Sequence, residues 1–162
     1  MHCRTTTQVR FDHRRRALCV GALGLATWPA AAAAQSLPVV EVWKSPTCGC
    51  CSDWIRHLEA NGFRTRVFDE GSVKKRAAMG VDLRYGSCHT AVVGGYAIEG
   101  HVPAREIKRL LRERPVAIGL AVPGMPIGSP GMDGPEYGGR KDAYEVLLLT
   151  KDGRASVFQA YS

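Results

Sequence analysis

Residues 39–62, VVEVWKSPTCGCCSDWIRHLEANG, decide how the chain is read. Residues 39–44 are short, apolar and rich in β-branched side chains, and they stop at Ser45-Pro46. That pattern predicts a buried strand. Over residues 50–61, Trp54, Ile55 and Leu58 fall on one helical face, and Gly62 supplies a stop. Between strand and helix lie Cys48, Gly49, Cys50 and Cys51, three thiols within four positions. A helix start presents unpaired N–H groups and roughly half a positive charge. Thiolate, which is both nucleophile and metal ligand, is favoured there over thiol. The cluster therefore reads as a functional centre and not as inert core cysteine.

Working outward, residues 63–68 alternate as a second strand, and residues 72–79 form a short basic helix with Ser72 as N-cap. Residues 90–93 and 96–99 read as a hairpin around Gly94-Gly95. Pro103 opens a further helix with Ile107, Leu110 and Leu111 inward. The order β-α-β-α-β-β-α is α/β and matches the thioredoxin-like arrangement, with the cysteines at the start of the first helix. Residues 116–140 are rich in Gly and Pro, as in AIGLAVPGMPIGSPGMDGPEYGGR, and read as a lid or binding loop. Residues 144–150 and 155–159 read as a C-terminal β-hairpin around Lys151-Asp152-Gly153.

The N-terminal part follows a different logic. Arg14, Arg15 and Arg16 precede an apolar run of about 12 residues, too short for a bilayer span of about 20, and then alanines up to Ala34. Basic region, apolar region and small-residue cleavage site predict a secretory signal over 1–34 and a single domain over 35–162. The consecutive arginines also permit twin-arginine export. The leader carries five of the arginines and one aspartate, so cleavage lowers the net charge from +7 to +3. A nucleic-acid partner loses most of its support. The basic runs at 74–76 and 105–114 read as solvated helix faces. Cys3 and Cys19 leave with the leader, so the mature chain keeps Cys48, Cys50, Cys51 and Cys88. Three of these are too close in sequence to staple distant segments, so they describe a site and not a disulfide framework.

In a thioredoxin-like fold, the segment entering the third strand passes beside the first helix start. Here that segment is Ser87-Cys88-His89-Thr90, which puts Cys88 next to the other sulfurs and His89 where the fold carries its cis-proline. Four sulfurs suit Cu(I), Zn(II) or an iron–sulfur cluster. A closed zinc site uses two separated CxxC pairs, and the vicinal pair Cys50-Cys51 is poor geometry for one tetrahedral ion. Sulfurs bridging two or more Cu(I) ions relax that constraint. Met125 and Met132, in the glycine-proline loop, are further soft donors, with gap-filling as the competing reading. His89 and His101 read as hydrogen-bonded turn histidines with ligation as the alternative, and His57 reads as a surface residue. Trp43 and Trp54 read as core residues flanking the centre.

WKSPTCGCC, SCHTAVVGGYAIEGHVPA and GLAVPGMPIGSPGM together resemble the CopG family of exported copper-resistance proteins, through residues 39–162. The resemblance implies a thioredoxin-like fold, a periplasmic location and a copper centre of Cys48, Cys50, Cys51 and Cys88. It also implies several bound Cu(I) ions and interconversion of Cu(I) and Cu(II), which would make the protein a copper oxidoreductase. The expected partners are metal ions and other periplasmic copper-handling proteins, with no membrane span in the mature chain. Two other readings stand beside this one. The first is a thiol–disulfide oxidoreductase using Cys48 and Cys51, against which Cys50 and His89 count. The second is a copper chaperone without redox turnover.

Overall fold

β1 (Val40–Lys44) has alternate residues on opposite faces of the sheet. Val40 and Val42 point into the main core, and Trp43 on the other face stacks on Phe68. The computed structural model describes residues 36–162. The predicted leader over 1–34, with Cys3 and Cys19, lies outside the described residues.

The remaining elements follow in order: α1 (Gly49–Ala60), β2 (Thr65–Phe68), α2 (Val73–Ala78), β3 (His89–Val93), β4 (Tyr96–Glu99), α3 (Ala104–Glu113), β5 (Gly119–Ala121), β6 (Tyr144–Leu149) and β7 (Ala155–Tyr161). The strands form one seven-stranded sheet in the order β2-β1-β3-β4-β5-β6-β7. β1 is parallel to β2 and antiparallel to β3, β3 is antiparallel to β4, and β4 is parallel to β5. The chain is therefore mixed α/β, as expected.

Strand alternation divides the apolar side chains between two clusters. Ile98, Leu120 and Val146 pack with Trp54 and Leu58 of α1 and with Ile107 and Leu110 of α3. Their sequence neighbours Ala97, Ala121 and Leu147 pack with Val81, Leu149, Met79 and Tyr85. Each large side chain fully buried in this way contributes about 1.5–3 kcal/mol. α1 ends where the sequence places its stop: Gly62, at φ +86°, donates its N–H to Glu59 O, and Phe63 N–H reaches Leu58 O.

Two expectations need correction. Residues 116–140 are not wholly irregular, because β5 lies within them and joins the first four strands to the C-terminal hairpin. Gly119 makes that junction possible, since a Cβ there would lie 1.8 Å from Ala97 O. Ser72 does stand at the N-cap of α2, but its hydroxyl makes no cap. It accepts instead from the Arg76 guanidinium at 3.2 Å.

Candidate metal centre

The loop after β1 turns through a hydrogen bond from Cys48 N–H to Ser45 O and delivers Cys48 to the N-cap of α1 in extended conformation. Because Cys48 lies outside the helix, its sulfur can meet those of Cys50 and Cys51. Cys48 Sγ lies 3.6 Å from Cys50 Sγ, and Cys48 and Cys51 are joined as a disulfide. Cys88, on the segment entering β3, places its sulfur 3.4 Å from Cys51 and 4.0 Å from Cys50. All four sulfurs fall within 4.8 Å of one another. Cys51 is fully buried, and the other three are partly accessible. The sequence-level placement of Cys88 beside the triplet agrees with this geometry.

The four sulfurs form a donor set suited to a soft cation. In the oxidised pair, Cys48 and Cys51 have no thiolate to give, so four-sulfur ligation belongs to the reduced protein. Burial pushes the Cys88 thiol up to about 12, with Cys50 as the next cause. A cation taken up at Cys88 therefore displaces a proton.

The histidines take more part than a turn reading allows. His89 opens β3, and both His89 and His101 are fully buried. Cys88 Sγ lies 3.3 Å from His89 Nδ1 and 3.1 Å from His101 Nε2. Burial lowers the pKa of both rings, well below 6.5 for His89, where His101 adds to the effect. Both rings are thus neutral near pH 7, which is the ligating form. His89 packs on Trp54 at 4.2 Å between ring centroids, and its Nε2 has no partner. Cys88, His89 and His101 form a second compact group able to hold a metal ion. His57 is half-buried and not a surface residue, because its Nε2 accepts the Ala104 N–H at the start of α3.

The glycine-proline loop lies against the helix start. A Cβ on Gly131 would sit 2.6 Å from Cys50 O and 2.7 Å from Trp54 N. His101 Nδ1 meets Pro130 O at 2.8 Å. Further along, Gly124 N–H donates to Gly86 O, and Ser87 Oγ donates to Gly124 O. Each methionine therefore follows a glycine pinned to a cysteine-bearing segment. Met132 is buried, with Tyr137 OH on its sulfur at 3.4 Å, whereas Met125 is 52% exposed.

Fold and site define an α/β domain that gathers four cysteine sulfurs, with two buried neutral histidines behind them. A family model described as "Protein of unknown function, DUF411" matches residues 85–132, a span that holds Cys88, both histidines and both loop methionines. Among curated proteins none matches the chain. Two solved structures do, both named "Copper resistance protein copG". Form 2 is 47% identical, with 78% of this chain and 99% of that one covered and a TM-score of 0.71. Form 1 is 48% identical, with 77% and 98% covered and a TM-score of 0.71. The chain belongs to the CopG family of copper resistance proteins.

Proposed function

We propose that the protein is an exported copper-binding protein of copper resistance. In this reading Cys48, Cys50, Cys51 and Cys88 hold more than one Cu(I) ion as cargo, and the centre interconverts Cu(I) and Cu(II). The observation that carries it is the gathering of four sulfurs within 4.8 Å at a helix start. Soft thiolates stabilise the lower oxidation state of copper and bridge ions readily. The two similar structures, both named copper resistance proteins, support copper over zinc.

The thioredoxin-like reading is supported by the order β2-β1-β3-β4, with the cysteine helix following β1. A leader over 1–34 and a periplasmic address complete the proposal. Among the described residues, no helix is long and apolar enough to cross a membrane. Met132, buried next to the glycine that rests on Cys50, would be a supplementary soft donor, and the exposed Met125 a lesser one.

The Cys48–Cys51 disulfide favours a second reading, a thiol–disulfide oxidoreductase. Anaerobic Cu(I) titration with elemental analysis separates the two. The copper reading expects more than one ion per reduced chain, lost when all four cysteines are changed to serine. Equal uptake by the parent and the quadruple variant, with disulfide reductase turnover that copper does not affect, would favour the oxidoreductase. A copper chaperone would bind Cu(I) but show no redox turnover of the bound ions.

A further inference from the structure

Cys88 stands on a segment with no regular structure, yet the residue before it is held at both ends of its peptide framework. Ser87 N–H donates to Glu99 Oε1 at 2.6 Å, and Ser87 O accepts from Arg76 Nη2 at 2.5 Å. Those two side chains pair with each other: Arg76 Nε donates to Glu99 Oε1 at 2.9 Å, and Nη2 lies 2.7 Å from the same oxygen. Glu99 Oε2 accepts from Thr90 Oγ1 at 2.6 Å, and Arg76 Nη2 reaches Ser72 Oγ. Arg76 is 7% exposed and Glu99 is fully buried.

A buried ion pair is a poor way to gain stability. Desolvation of two charges offsets their attraction, and apolar replacements of similar volume are often neutral or better. What this pair supplies is geometry. A guanidinium is a rigid planar fork, so one group can fix a carboxylate and a main-chain carbonyl together. The surroundings keep room for it. A Cβ on Gly86 would lie 3.3 Å from Arg76 Nη1, and one on Gly100 would lie 2.5 Å from Ser87 Oγ.

We propose that Arg76 and Glu99 are a positioning pair for Cys88, holding its sulfur at the cluster formed by the α1 cysteines. The functional consequence rests on the copper-centre reading, but the geometric claim does not. The pair touches no cysteine side chain; it acts through the Ser87 backbone.

The test uses the full chain and two readouts. In a Cys48→Ser/Cys50→Ser background, oxidised glutathione drives formation of the Cys51–Cys88 disulfide, two thiols giving their hydrogens to form two glutathiones. Peptide mass mapping follows the cross-link specifically. Adding Arg76→Met/Glu99→Gln, which removes both charges together, is expected to slow cross-linking about tenfold, while Arg76→Lys/Glu99→Asp keeps the charges and loses the fork. The conservative double variant is expected to slow it as well, since charge alone does not place Ser87. Circular dichroism and thermal unfolding verify that each variant is folded. Cross-linking within twofold of the parent rate in a folded Arg76→Met/Glu99→Gln protein would overturn the proposal, whatever copper does.

The second readout is Cu(I) affinity by chelator competition, with and without Cys88→Ser. A loss of about tenfold that disappears in the Cys88→Ser background supports positioning through Cys88. The same loss in both backgrounds would overturn it in favour of a general structural role. Slowed cross-linking with Cu(I) affinity unmoved by Cys88→Ser itself would uphold the positioning and remove Cys88 from the proposed copper ligands alone.

Discussion

Cys88 Sγ lies 3.1 Å from His101 Nε2, and the other nitrogen of the same ring meets Pro130 O at 2.8 Å. A carbonyl oxygen only accepts, so His101 Nδ1 carries the ring proton and Nε2 offers its lone pair to Cys88. Cys88 S–H is then the donor to His101, while His89 Nδ1 lies 3.3 Å from the same sulfur and His89 Nε2 has no partner. The glycine-proline loop thus sets a histidine tautomer at the cysteine cluster.

That arrangement holds Cys88 as a thiol. Burial raises its pKa from 9.0 to about 12. In the metal-free protein, alkylation of Cys88, resolved by peptide mass spectrometry, is expected to keep rising with pH beyond about 10.5, where an unperturbed thiol has levelled off. A midpoint at or below pH 9 would contradict the burial argument.

The disulfide leads to a loading order. Cys48 and Cys51 are bonded, so the oxidised protein offers only Cys50 and Cys88 as free thiols among the described residues. Anaerobic protein left oxidised is expected to take up fewer Cu(I) ions than protein reduced with a phosphine and desalted. Equal stoichiometry in the two forms would mean that Cys48 and Cys51 are not needed as ligands.

Gly131 and Gly62 share nearly the same backbone angle, φ +85° and +86°, but not the same space. A Cβ at Gly62 meets nothing within 4 Å, whereas one at Gly131 strikes Cys50 O and Trp54 N. Gly62→Ala is expected to cost only the left-handed penalty, about 1 kcal/mol. Gly131→Ala adds a backbone collision and is expected to cost about 1–3 kcal/mol more. It should also lift the loop from the first turn of α1. Denaturant unfolding of both variants measures the difference, and equal losses would remove the loop's contact as the cause.

His57 gives a pH signature away from the cysteines. Its folded pKa is lowered, chiefly by burial, with Asp133 opposing and Lys108 adding to the effect. Between that value and the unfolded 6.5, the unfolded chain binds more protons, so the stability due to neutral His57 is lost as pH falls below about 6.5. His89 and His101 act in the same direction, and buried Glu99, whose pKa is raised, acts oppositely from 4.5 upward. His57→Gln keeps an acceptor for Ala104 N–H but cannot titrate. It should flatten the fall in Tm between pH 7 and pH 5 relative to the parent, and an unchanged slope would dismiss His57 as a contributor.

What could be read from the sequence follows physical range. The strand, cysteine turn and helix at 39–62 are written in local pattern, and so is the hairpin around Gly94-Gly95, because periodicity and turn chemistry act over a few residues. β5 is three residues of Gly-Leu-Ala, with no period to detect, and it is a strand only because Ala97 to Glu99 and Leu147 to Leu149 pair with it. The convergence of Cys88 was legible through fold order, since topology carries that segment past α1. The burial of His89 and His101 was not, because a lone histidine looks alike on either side of a loop until Pro130 and Trp54 are placed. Arg76 showed only as one cation in a basic helix. Its partner Glu99 lies on a strand 23 residues away, so no local signal joins them.

The two loop methionines separate by burial. Met132 is 9% exposed and lies next to the glycine that rests on Cys50, while Met125 is 52% exposed. Met-to-Leu conserves volume and removes the thioether, so Met132→Leu should change stability by less than about 1.5 kcal/mol. If the Met132 sulfur contributes to the centre, that variant weakens Cu(I) retention in chelator competition while its unfolding midpoint holds. Met125→Leu, starting from an exposed position, is expected to leave both readouts near the parent. Weakened retention in Met125→Leu alone would reverse this order and assign the exposed methionine the larger share in holding copper. A Met132→Leu variant that loses stability and retention together would mark that residue as packing only.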